Sequence, residues 1–255
     1  MKTIVFDLDG TLTDSKEPLD EEMAALIMKL LRFHKVAIIS GGSWKQFQKQ
    51  VVRHLQGDET ILNNLYLLPT SGGSMYQTWG KYGWVATYQH KLHRRDVARI
   101  MKAFEEVLAE TGFEQPKKLW GRQIESRENQ ITFSALGQNA PIEVKEKYDP
   151  DFAKRRVIAD ALQAKLGPYD VRIGGTTSID VSLRGINKKF GIDELMKRLH
   201  ISKDDVTFVG TAIFKGGSNY VAIEMGLDHI EVSDHEQTRR WIREVLDADV
   251  LEKTA

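Results

Sequence analysis

Cysteine is absent from the 255 residues, which excludes disulfides and thiolate metal sites and suits a reducing compartment. Net charge is absent as well: 36 lysines and arginines balance 36 aspartates and glutamates, so no global field recruits nucleic acid or an anionic membrane. Any anion binding must therefore be local. No apolar run reaches membrane-spanning length, and the opening MKTIVFDLDG turns acidic too soon to read as a signal peptide. Repeats, low-complexity tracts and long linkers are also missing. Together these absences point to a cytoplasmic protein without nucleic-acid or membrane partners.

What is present is enough apolar material, 41% of the chain, for one large domain or two modest ones. TIVFDL (3–8), VAII (36–39), LYLL (65–68), VTFV (206–209) and HIEV (229–232) are short apolar runs closed by Gly, Ser, Thr or Asp, as buried parallel strands are. Helical patterns lie between them: Met23, Leu26, Ile27, Leu30 and Leu31 recur at helical spacing, as do Ile192, Leu195, Met196 and Leu199. Ser43 with Gln46 makes a capping box that opens a helix carrying Phe47 and Val51. This alternation predicts a doubly wound α/β sheet.

Residues 82–182 follow a different pattern. One helix bears Val97, Ile100, Met101, Phe104, Val107 and Leu108 and stops at Gly112. Another is predicted to start with Asp149 as N-cap and Pro150 at the first helical position, ending at the Gly-Pro of 167–168. RQIESRENQITFSALG reads as a hairpin turning at Glu128 and Asn129, and VRIGGTTSIDVSL as a strand pair around Gly174 and Gly175. The expected organisation is a core of 1–81 and 183–255 interrupted by an α+β insert.

The chemistry gathers at strand ends. DLDGT (7–11) sets two carboxylates two residues apart where open α/β sheets bind ligands. A carboxylate at Asp7 can attack phosphorus, while Asp9 can protonate a leaving oxygen and later activate water. A solvated acidic turn is the plain alternative.

The longer run VFDLDGTLTD resembles the first motif of the haloacid dehalogenase superfamily of phosphotransferases. The resemblance implies a Rossmann-like core. It also implies that Ser40 in VAIISGGS, with the amides of Gly41 and Gly42, holds phosphoryl oxygens, although a Ser-Gly turn serves capping equally well. GINKKFGI resembles the third motif and makes Lys188 the cation beside the phosphate, with Lys189 as competitor. The insert is similar to a type IIB cap of the phosphomannomutase-like branch. By that likeness Ser178 and Asp180 contact sugar hydroxyls, and Arg122, Arg127 and Arg172 are available cap cations. Lys16, after motif one, is a further phosphate contact or a surface lysine. Such a cap is expected to swing over the crevice and exclude water.

Several positions depart from that pattern. Trp120 and Gln138 stand where eukaryotic phosphomannomutases carry arginines that grip a second phosphate. GTAIFKGGSNY (210–220) occupies the place of the fourth, metal-binding motif, with Thr211 and Asn219 at acidic positions, and Asn187 replaces another acid. The implied Mg²⁺ ligands are Asp7, Asp9, Thr211 and Asn219, with weakened affinity. The favoured function is a Mg²⁺-dependent phosphatase for a phosphorylated sugar, ahead of a phosphomannomutase and of a phosphosugar-binding protein without turnover. A homodimer is left open.

Overall fold

The computed structural model describes residues 2–55, 57–215 and 217–254. It divides into two compact units, one of residues up to 89 together with those from 188 onward, the other His90–Asn187. No helix among the described residues is long and apolar enough to cross a membrane.

The first unit opens with β1 (Thr3–Asp7), β2 (Lys35–Ile39), β3 (Leu65–Leu68), β4 (Ser74–Thr78) and β5 (Trp84–Gln89). The second unit supplies β6 (Ile124–Arg127), β7 (Gln130–Ser134), β8 (Tyr169–Gly174) and β9 (Ser178–Leu183). The chain then returns to the first unit for β10 (Val206–Gly210) and β11 (Asp228–Glu231).

The large sheet runs β11-β10-β1-β2-β3-β4-β5. Its first five strands are parallel, and the last two are antiparallel. Every residue of β1, β3 and β10 is buried, as expected of strands covered by helices on both faces. The doubly wound core predicted from the apolar runs is thus observed, each predicted strand lying within a residue or so of its place.

The β4–β5 hairpin leaves no alternating signature in the sequence. Its residues are mixed in polarity, and its turn at Gly80 and Gly83 takes φ of +47° and +67°. Residues 82–89, expected to open the insert, therefore finish the large sheet, and 183–187, expected in the core, fall in the second unit.

The capping box at Ser43 and Gln46 is formed, but the helix it starts, Trp44–Phe47, changes to a π-helix over Gln48–Val52. Helix Lys188–Leu199 begins at Lys188 and packs at Gly191 against the segment after β3. A Cβ there would lie 2.6 Å from Gly72 Cα and 3.2 Å from a Leu68 methyl. Gly191→Ala would gain about 1 kcal/mol of helix propensity. It would also overpack backbone against backbone at a cost of about 1–3 kcal/mol. We expect a net loss of stability in urea unfolding.

In the second unit the sheet order is β6-β7-β9-β8, all antiparallel. Ile131, Phe133, Ile179 and Val181 share one face and pack with Ile100, Phe104, Val107, Ile158 and Leu162 of helices Arg94–Glu110 and Ala153–Lys165. The second helix starts later than predicted. Asp149 does not cap a helix at Pro150, because its carboxylate accepts the main-chain amides of Lys154 and Arg155 and the Arg155 guanidinium. The chain therefore turns through Phe152, φ +62°, before the helix begins. A short helix, Ile142–Tyr148, precedes it.

Candidate active site

β10, β1 and β2 are parallel neighbours, with Asp7 opposite Ile39, so Thr211, Asp7 and Ser40 leave the sheet at one edge. Asp7 is 6% exposed. Its Oδ1 accepts from Lys188 Nζ at 2.8 Å and its Oδ2 from Asn219 Nδ2 at 2.8 Å. Lys188 also donates to Asn219 Oδ1 at 2.7 Å, and Asn219 Nδ2 to the Thr211 carbonyl at 2.7 Å. The competing Lys189 is exposed and pairs with Asp193 instead.

Asn219 reaches Asp7 because its loop is tightly wound. Ala212 adopts φ +52°, and a Cβ on Gly217 would come within 2.1 Å of the Ala212 carbonyl oxygen. Gly216, the first of the paired glycines in this stretch, lies outside the described residues. Thr211 is tied to the loop after β1, its amide donating to Thr11 Oγ1 at 3.3 Å.

Asp9 is held separately. Gly10, at φ +81°, turns the chain and donates its amide to the Thr13 carbonyl. Asp9 Oδ1 accepts the Lys16 amide at 2.7 Å and Gln50 Nε2 at 3.3 Å, and Oδ2 accepts Ser40 Oγ at 3.3 Å. Lys16 thus contributes its main-chain N–H to Asp9, from a left-handed conformation of φ +68°. Ser40 Oγ accepts in turn from the Gly42 amide at 3.2 Å. Gly41 lies in the same turn. Thr70 and Ser71, both left-handed, donate their amides to the carbonyls of Gly42 and Ser40.

Gln50 and the Thr70–Ser71 brace were not anticipated. Gln50 is buried and also donates to the Glu17 carbonyl, so it joins the Asp9 loop to the π-helix. Such bulges are frequent at functional sites, but ordinary helical spacing gives no sign of one.

The expected Mg²⁺ ligands, Asp7, Asp9, Thr211 and Asn219, do not offer a divalent cation what it requires. Both Asp7 oxygens accept hydrogen bonds, and Asn219 Oδ1 faces an ammonium. The Thr211 carbonyl takes the Asn219 amide, and the Asp9 carboxylate points to Lys16, Gln50 and Ser40, so Asp9 could offer only the neutral main-chain carbonyl expected of it. Among the described residues no three His, Cys, Asp or Glu side chains gather to hold a metal. Mg²⁺ prefers octahedral oxygen with one or two carboxylates. The donor set does not fit it.

In the second unit Ser178 and Asp180 share a polar face with Gln130, Thr132 and Ser134 across the β7–β9 ladder. Asp180 Oδ1 accepts Thr132 Oγ1 at 2.6 Å and Gln130 Nε2 at 3.4 Å, and the Ser134 and Ser178 hydroxyls are 3.4 Å apart. Arg127, opposite Gln130, is buried and pairs with Glu125 at 2.6 Å. Arg172, opposite Asp180, is exposed and pairs with Asp170, while Arg122 lies outside the sheet and is exposed. Trp120 sits under the Lys118 ammonium, 5.0 Å from its ring. Thr132 and Gln130 could have been found from the alternation of the hairpin.

Burial pushes the Asp180 carboxyl above its usual range, against the pull of the Arg127 guanidinium and the Thr132 hydroxyl. A raised acid contributes stability that is present below its unfolded value and lost as pH rises through its folded one. Wild type should therefore lose stability relative to Asp180→Asn as pH rises through the carboxyl range, which urea midpoints across pH will measure.

A family model described as haloacid dehalogenase-like hydrolase matches residues 4–212, most of the chain. The chain belongs to the haloacid dehalogenase-like hydrolases. The match includes Asp7, Asp9, Ser40 and Lys188, and it ends before Asn219. Among relatives, a probable phosphomannomutase of Caenorhabditis elegans is 25% identical over 95% of this chain and 94% of its own length. Human phosphomannomutase 1 is 25% identical over 85% and 80%. Among solved structures, IMP-nucleotidase of Plasmodium falciparum superposes with a TM-score of 0.70 at 17% identity, covering 97% of this chain and 68% of that one. A haloacid dehalogenase-like hydrolase from Bacteroides thetaiotaomicron superposes at 0.61 with 13% identity, over 96% and 99%. These two likenesses concern the fold.

Proposed function

We propose that this chain hydrolyses a phosphorylated sugar through an aspartyl phosphate at Asp7. The observation that carries the reading is the contact between Asp7 and Lys188 at the sheet edge, with Asp9 fixed beside Ser40. An Asp7 oxygen attacks phosphorus while the bond to the sugar oxygen breaks, and Asp9 delivers a proton to that oxygen. Asp9 then takes a proton from water, the water oxygen bonds to phosphorus, and inorganic phosphate leaves as Asp7 regains its carboxylate. Lys188 neutralises charge on the transferring group throughout. The likeness to phosphomannomutases supports a hexose phosphate as the ester.

Interconversion of hexose 1- and 6-phosphates is the second reading, favoured by the names of those relatives. Trp120 and Gln138, in place of phosphate-gripping arginines, favour hydrolysis over it. The test follows a panel of hexose 1- and 6-phosphates by phosphorus NMR. Release of inorganic phosphate is expected, and conversion of one ester into the other would establish the mutase instead. If every ester persists unchanged, both readings fall.

A further inference from the structure

We infer that the Asp7 pocket takes up a phosphoryl anion with no divalent cation, the Asn219 amide and the Lys188 ammonium standing where a metal's charge would act. The inference rests on the proposed phosphoryl site and concerns how that site manages charge.

The orientation of Asn219 is fixed by its neighbours. One end of the amide meets two acceptors, Asp7 Oδ2 and the Thr211 carbonyl, and the other meets the Lys188 ammonium. A flipped amide would set its oxygen against those two acceptors and its NH₂ against the cation, so only the observed arrangement satisfies all three contacts.

The consequence is a closed set of charges. Asp7 contributes one negative charge and Lys188 one positive, and Asn219 joins them without adding either. A divalent ion seated on Asp7 and Asn219 Oδ1 would have to break the ammonium's contacts of 2.8 and 2.7 Å and then lie beside it. It would find one carboxylate and otherwise neutral oxygens. Asn219 is fully buried, so an ion on its Oδ1 could keep few waters on that side. Mg²⁺ dehydrates reluctantly and ordinarily keeps several waters. Lys188 spends two of its three N–H donors on Asp7 and Asn219, which leaves one for an incoming phosphoryl oxygen.

Asn219 is also the point at which this balance can be upset on purpose. Asn219→Asp would set a second carboxylate against Asp7 Oδ2, a like-charge pair that a divalent cation relieves.

The experiment titrates inorganic phosphate into the full chain by calorimetry, once with EDTA and once with Mg²⁺, and follows melting temperature with Mg²⁺ alone. Phosphate should bind equally in both buffers, Mg²⁺ alone should leave the melting temperature unchanged, and Lys188→Met should weaken phosphate about tenfold or more. Asn219→Asp should melt lower in EDTA and recover when Mg²⁺ is added. Phosphate binding only with Mg²⁺, a Mg²⁺ shift in the wild type, or an Asn219→Asp variant indifferent to Mg²⁺ would each overturn the inference and leave the phosphoryl site standing. Phosphate binding in neither buffer would remove the phosphoryl site itself, and the inference with it.

Discussion

Asp7→Asn should abolish phosphate release from a sugar phosphate, lowering turnover roughly 10⁴-fold or more, as loss of a covalent nucleophile does. The same variant should fail to accumulate a phosphorylated protein when substrate is quenched in acid and the mass is measured, whereas wild type gains one phosphoryl group. The geometry explains why the change is so severe for one atom. Asp7 receives an ammonium on one oxygen and an amide N–H on the other. An asparagine at 7 presents one oxygen and one NH₂ to two donors, so it loses the nucleophile and leaves a donor facing a donor. Asp7→Glu separates charge from reach, since it keeps the carboxylate but moves it past the point where Lys188 and Asn219 hold it. It should be inactive too, and activity in either variant would place the nucleophile elsewhere.

The second large effect is on stability. Arg155 is almost wholly buried in the second unit, and its Nε donates to Asp149 Oδ2 at 2.7 Å. Its Nη1 donates to the carbonyls of Gly174 and Gly175 at 3.0 and 2.8 Å, and its Nη2 to the Asp149 carbonyl at 3.2 Å. Burial raises the Asp149 carboxyl, but the Arg155 guanidinium and the amides of Lys154 and Arg155 outweigh it and hold the carboxyl below its usual value. Arg155→Ala leaves that carboxylate buried without its cation and two turn carbonyls without a donor, and should cost about 3–5 kcal/mol in urea unfolding. Arg155→Met with Asp149→Leu, which removes both charges together, should cost less than Arg155→Ala alone. A depressed acid gives stability that is present above its unfolded value and lost as pH falls through its folded one. Wild type should therefore lose in acid an increment that the double variant never had. Equal acid sensitivity in the two proteins would remove Asp149 as its source.

These two groups differ in how far the sequence discloses them. The pair of Asp7 and Asp9 stands out because β1 is apolar from Ile4 to Phe6 and the longer run VFDLDGTLTD resembles the superfamily's first motif. Ser40 and Lys188 are legible through the resemblance of VAIISGGS and GINKKFGI to the second and third motifs of that superfamily. The Asp149–Arg155 pair shows no such contrast: Asp-Pro before a helical pattern ordinarily marks an N-cap, and only tertiary contact reveals that the carboxylate serves a buried guanidinium and two amides further on. Gln50 was hidden for a similar reason, since one extra residue in a helical turn redirects a side chain without altering the residue pattern around it. The β4–β5 hairpin lacked the uninterrupted apolar run that made its parallel neighbours legible. Thr211 and Asn219 were recognisable as departures from an acidic pattern. That the amide would clamp Asp7 and Lys188 together depends on distances no sequence states.

The four-stranded sheet has one face set wholly into the hydrophobic core and another lined by Gln130, Thr132, Ser134, Ser178 and Asp180. Apolar and polar side chains therefore alternate along the same strands. Ile131, Phe133, Ile179 and Val181 hold the strands on the core, while the hydroxyl, amide and carboxylate groups of the other face bond among themselves. Because Gln130, Thr132 and Ser134 are almost wholly buried and hydrogen-bonded to Asp180 or Ser178, any exchange on that face is also answered by what it does to folding.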